Sequence, residues 1–136
     1  MSSTITAENL LLDSWFGAVA LTPPAQYFVA LSTTTPTEAG TNFNEPSGGG
    51  YARVAVTNNL TNFPSASGGS KTNGTAISFT ESTASWGTIT HIGFFNQPTG
   101  GTLYFWEALP VSKAVAANVT VYFSAGALTI SNLNAG

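Results

Sequence analysis

The sequence predicts an all-β protein: a two-sheet β-sandwich, jelly-roll or immunoglobulin-like, with one short N-terminal helix. Three observations carry this expectation. Beyond residue 24 the apolar residues fall in short runs separated by clusters of Gly, Pro, Asn and Ser. Val119, Val121 and Phe123 alternate with Thr120, Tyr122 and Ser124, the period of two that marks a strand with one wet face. At 136 residues, 43% of them hydrophobic, the chain is long enough for a single domain, taken as 1–136, to bury a core without metals or disulfides.

The helix is expected over about 7–16. Thr6 is the candidate cap, and Glu8 in the first turn complements the helix dipole. Ile5 and Leu10 have the spacing of a hydrophobic staple. Leu11 and Trp15, with Leu12 and Phe16, form an apolar stripe, and Gly17 is a stop signal. So short a helix needs something to lie against. Its own sandwich is the first expectation, a neighbouring subunit the second.

TPP at 22–24 breaks any helix. Strands are expected at Gln26–Ser32, Tyr51–Thr57, Ala76–Phe79, Thr88–Asn96, Leu103–Leu109, Val119–Ser124 and Leu128–Ser131. The segments ITHIGFFN and LYFWEAL are apolar on both faces, which asks for cover beyond the local sheet. The Gly/Ser/Asn stretch 65–75 is read as an exposed loop.

EPSGGGYARVAVT (45–57) tests the difference between a phosphate loop and a turn. No lysine follows its glycines, as a Walker loop requires, and the residues after them alternate. Ala52, Val54 and Val56 are expected on one face, with Tyr51, Arg53, Ala55 and Thr57 on the other. A turn feeding a strand is the better account.

Charged residues make up only 7% of the chain, against about a quarter in ordinary domains. The surface must therefore be built from neutral polar groups, which repel one another weakly. Net charge is −3, and Arg53, Lys71 and Lys113 are far apart, so there is no basic stripe for nucleic acid. No Lys/Arg-rich amphipathic helix suits an anionic membrane. The N-terminal segment lacks the pattern of a secretory signal, so synthesis as a soluble cytoplasmic protein is expected.

Catalytic groups are scarce. His91 is the only histidine and there is no cysteine, so neither a general-base motif nor a zinc set is expected. The acids Glu8, Asp13, Glu38, Glu45, Glu81 and Glu107 lack calcium-loop spacing, and nothing singles out a glycosidase pair among them. Glu107, between Trp106 and Ala108 in an apolar strand, is the candidate ion-pair partner of Arg53; Glu45 is the other candidate, and Lys113 is a second cation for Glu107. Leu11, Trp15, Phe43, Tyr51, Tyr104 and Trp106 are the candidate interface residues. No catalytic residue, cofactor or metal is expected.

Four segments, in order, carry a resemblance: YFVALSTTTPTEAGT (27–41), EPSGGGYARVAVT (45–57), AISFTESTASWGTITHIGFFNQPTGGTLYFWEALPVSKAV (76–115) and VYFSAGALTIS (121–131). Together they resemble a family of small tailed-bacteriophage virion proteins, from the N-terminal helix to Ser131. Family labels divide between tail-fibre-like and head decoration, or cement, proteins. Asn96 departs from the aspartate that many relatives carry. The resemblance implies a structural virion protein with no catalytic set to transfer. Single-domain length, a neutral surface and strands apolar on both faces favour a cement protein on the outside of the capsid. Its expected partners are the major capsid protein and itself, as a homotrimer, docked through the helix or the long 33–50 loop. A tail-fibre or receptor-binding module recognising a host glycan is the alternative.

Overall fold

In a computed structural model of the chain, which describes residues 1–131, a five-stranded antiparallel sheet forms one layer. Its members are β1 (Ser2–Ser3), β2 (Gln26–Ser32), β3 (Val54–Thr57), β6 (Gly87–Phe95) and β7 (Leu103–Val115), in the order β1-β7-β6-β2-β3. Helix α1 spans Ile5–Trp15. The opposing layer consists of two short ribbons. One pairs β4 (Ser70–Thr72) with β9 (Thr129–Ser131), the other β5 (Ile77–Ser78) with β8 (Tyr122–Phe123). The fold is all-β and sandwich-like, with the second layer broken into ribbons.

The main core fills the space between the layers. Val29, Leu31, Val56, Ile89, Ile92, Phe94 and Val115 come from the sheet; Phe63, Ile77, Phe79, Val121 and Leu128 come from the other side. Alternation holds where it is clearest: Val119, Val121 and Phe123 pack inward, while Thr120 and Tyr122 are exposed. Only Tyr122–Phe123 of that run is laddered, because Phe79 N–H bonds the Val121 carbonyl and Ser82 N–H the Val119 carbonyl outside the regular strand.

The other face of the sheet is covered too. Ala30, Phe95 and Leu103 are buried there with Phe28, Phe43 and Trp106 against them. Phe43 supplies the lid from the 33–50 loop and meets Phe95 edge-on at 5.0 Å between ring centroids. The cover that ITHIGFFN required is therefore part of the same chain. The loop is held in place by its own polar groups: the Ser32 hydroxyl accepts N–H bonds from Thr34 (3.1 Å) and Asn44 (3.0 Å), and Trp86 Nε1–H donates to Gly49 O at 2.8 Å.

Several expected boundaries move. The helix cap is Thr4, not Thr6: its hydroxyl accepts from Ala7 N–H and donates to Leu103 O at 2.9 Å, so β7 fixes where the helix begins. Ile5 is thereby inside the helix and, like Leu10, exposed, so no staple forms. β3 starts at Val54, not Tyr51, because Tyr51 and Arg53 turn their polar ends to other partners. Within the supposed 65–75 loop, Ser70–Thr72 pairs with β9.

β7 runs beyond the expected Leu109 to Val115. Ile89 faces Lys113 and His91 faces Ala108, leaving Leu109–Ser112 as a bulge on β7. On its outer side β7 meets β1 only at Phe105 and Trp106. From Glu107 onward that edge has no strand partner among the described residues.

Where β6 passes beneath Phe43, Gly93 leaves no room for a side chain: a Cβ there would collide with the Phe43 ring and Leu103 Cδ1. We expect Gly93→Ala to cost about 1–3 kcal/mol through overpacking, read as a lowered urea midpoint with an unchanged slope.

Candidate docking surface

Two places on the molecule concentrate functional groups, and they have opposite characters. The first is sealed. Arg53, the only arginine, has a side chain just 5% exposed. Its Nε and Nη2 donate to the two oxygens of Glu45 at 2.9 and 2.8 Å, a bidentate pair. Nη1 donates to Gln97 O and Gly100 O, both at 2.8 Å, and the guanidinium lies 3.7 Å from the centroid of Phe95. Gly100 and Gly101 in that hairpin turn have φ of 60° and 72°, the freedom expected of PTGG. Tyr51 completes the cluster by donating to Glu45 Oε1 at 2.6 Å and accepting Leu31 N–H at 3.0 Å.

Burial alone would raise the Glu45 carboxyl, but its hydrogen bonds from Arg53 and Tyr51, with the Arg53 charge, hold it below its ordinary value. Burial, then the bond to Glu45, pushes the Tyr51 phenol up. All of these groups are satisfied within the chain. The cluster is a clasp, not a binding site.

Arg53 therefore pairs with Glu45 and not with Glu107, the first candidate. The chain brings Glu45 back to β3 across the SGGG turn, whereas Glu107 lies on β7 opposite Ile92. Burial raises the Glu107 carboxyl, and the N-terminal amine of Met1 only partly offsets this. Of the candidate interface residues, Tyr51 packs into the main core against Phe79 and Trp86, and Phe43 is the lid over Phe95. Both rings are thus engaged within the chain. Trp106 packs beside Ala30, Phe95 and Leu103 and meets His91 edge-on at 5.7 Å; its Nε1 is buried without a hydrogen-bond partner among the described residues. His91 is buried and bonded to its neighbour Thr90 through Nδ1 at 2.7 Å, and burial lowers its pKa. Among the described residues no three His, Cys, Asp or Glu side chains gather as a metal set, and no helix is long and apolar enough to cross a membrane.

The second place is open. Ile5, Leu10, Leu12, Trp15, Phe16, Val19 and Leu21 are all exposed, Trp15 at 81% and Phe16 at 86%. Of the helix only Ala7 is fully buried. Leu11 and Tyr104 are half-buried, lining with Leu21, Pro23, Pro24 and Tyr27 a groove between the helix and the chain that follows it. The helix is thus seated on the sandwich by its cap and a narrow strip, and most of its apolar stripe is left bare. This revises the expectation that its own sandwich would cover it. Trp15 and Phe16 alone bare on the order of 300 Å², within the roughly 300–600 Å² of the largest patch on a typical monomer.

A family model described as podophage GP4 fiber I protein gp80 matches residues 2–131. No curated protein matches the chain.

The clasp and the buried acid give opposite pH signatures. Arg53→Lys loses the bidentate geometry and is expected to cost about 2 kcal/mol at pH 7. Because the folded Glu45 value is depressed, the stability it provides is complete above its ordinary 4.5 and is lost as pH falls through the lower folded value. Acid titration of wild type against Glu45→Gln, followed by thermal melts, checks this. The folded Glu107 value is raised, so ionising it opposes folding at neutral pH, and this penalty disappears below 4.5. Glu107→Gln should raise the melting temperature at pH 7 and leave it unchanged near pH 3.5.

Proposed function

Because the chain belongs to the podophage GP4 fiber I protein gp80 family, matched over residues 2–131, we propose that it is an attachment module of the tail-fibre apparatus, docked on the virion through its N-terminal segment. It is a phage structural protein with a β-rich fold.

The observation that carries the docking reading is the cluster of bare apolar side chains between Ile5 and Leu21, seven of the ten large hydrophobic residues exposed among the described residues. The 33–50 loop, the other docking element expected from the sequence, is spent covering the sheet through Phe43 and holding Arg53 through Glu45. Many modest contacts multiplied by virion symmetry suffice for such a protein, and reactive groups are not needed. The homotrimer expected from the sequence belongs, in this reading, to the assembled particle, where the partner sets the symmetry.

The family description favours the fibre over the capsid exterior. Cement on the major capsid protein uses the same attachment logic on a different lattice. Cryo-EM of the whole virion separates the two: density for this sandwich along the tail, with a shell free of it, is the expected result. Copies repeated over the icosahedral shell would give the protein to the capsid instead.

A further inference from the structure

We infer that the outward face of α1 is a helix-in-groove ligand for a different virion protein, one presenting an apolar groove rimmed by Lys or Arg. The inference rests on the virion reading above and names the chemistry of the partner.

At about 100° per residue, Ala7, Leu11 and Ser14 share one side of the helix. These are its covered residues, together with Glu8 on the near flank, which is half-buried and accepts the Ser3 hydroxyl at 3.0 Å. Ile5, Asn9, Leu12 and Phe16 share the opposite side, and all four are exposed. The spacing i, i+4, i+7, i+11 is that of residues which anchor an amphipathic helix in a groove. Phe16 is the C-cap, so the stripe ends with the helix. The stripe points away from the body to which the helix belongs, so closing the groove beside Leu11 would not cover it.

Charge selects the occupant. Glu8 lies along one flank of the stripe and Asp13 along the other, and the Glu38 carbonyl accepts Ile5 N–H, bringing a third acid to the helix start. No basic residue precedes Arg53 in the chain. Arg53 is consumed by Glu45, Lys71 donates to Phe63 O, and Lys113 is on the distal half of β7. A second copy of the helix is therefore a poor occupant. In heptad terms Glu8 and Asp13 flank the seam at g and e, so a parallel pair sets Glu8 against Asp13 and an antiparallel pair sets each against itself. Like charges meet in either arrangement, which disfavours self-pairing and favours a basic rim. Asn9 in the middle of the stripe adds a polar requirement that fixes register.

The experiment grows virions from phage lacking their own copy, in cells supplying this chain or a variant, and counts copies per particle by quantitative mass spectrometry. Leu12→Ser with Phe16→Ser should lower incorporation by roughly tenfold or more, while the purified double variant keeps the wild-type melting temperature because both side chains are exposed. Glu8→Lys with Asp13→Lys should also be depleted. Glu8→Gln with Asp13→Asn should be retained more weakly than wild type in a salt wash, with less dependence on ionic strength. Val111→Ser with Tyr122→Ser, on the far part of the molecule, should incorporate normally. Normal incorporation of the Leu12/Phe16 variant overturns the inference. So does a free chain whose oligomer that variant dissolves, since the stripe would then belong to a second copy. Absence of the wild-type chain from virions would instead remove the virion reading itself.

Discussion

One guanidinium holds the architecture in register. Arg53, just before β3, joins the end of the 33–50 loop through Glu45 to the distant β6–β7 hairpin through two carbonyls of its turn. A buried charge is tolerated only when opposite charge and hydrogen bonds replace water. Here Glu45 supplies the charge, the turn carbonyls accept further N–H bonds and Phe95 fills the open face. Because the loop is tethered, Phe43 is held over Phe95 and Gly93, and the second face of the sheet stays dry. An aliphatic residue at 53 would remove one of the loop's tethers and leave the Gln97 and Gly100 carbonyls without this donor.

The same economy explains the division of labour between the two ends of the chain's polar inventory. With so few charges, several are committed to the fold itself. Tyr51 and Arg53 converge on Glu45, Lys71 satisfies a backbone carbonyl, and Glu107 sits in a strand where burial opposes its ionisation. The acids flanking α1 have no cation of their own along the first 52 residues. The stripe of the helix that lies between them is left exposed.

Periodicity made the all-β class, the Gln26–Ser32 strand and the existence of the helix legible in the sequence, since apolar alternation is a local property. What failed was decided by distant groups. Thr4 and Thr6 are equivalent as caps until the Leu103 carbonyl selects Thr4. Ser-Lys-Thr at 70–72 has no apolar pattern and becomes a strand only through β9. Pro110 marks an end by propensity, yet β7 bulges around it and resumes pairing at Lys113. Both acids eligible for Arg53 were visible, and the short closure across the SGGG turn was the signal favouring Glu45 over one more than fifty residues away. The aromatic residues proposed for an interface divided between core and surface because composition does not say which side of a sheet will be roofed.

The open flank of β7 has a consequence for proteins that accumulate at high concentration before assembly. A long, flat, unpaired strand invites edge-to-edge polymerisation. This edge is guarded in three ways that leave the fold untouched: Pro110 removes a donor, the Leu109–Ser112 bulge bends the strand out of plane, and Lys113 places a solvated charge beyond it. The geometry that made this strand hard to read thus belongs to the same set of devices by which natural sheet edges discourage edge-to-edge pairing.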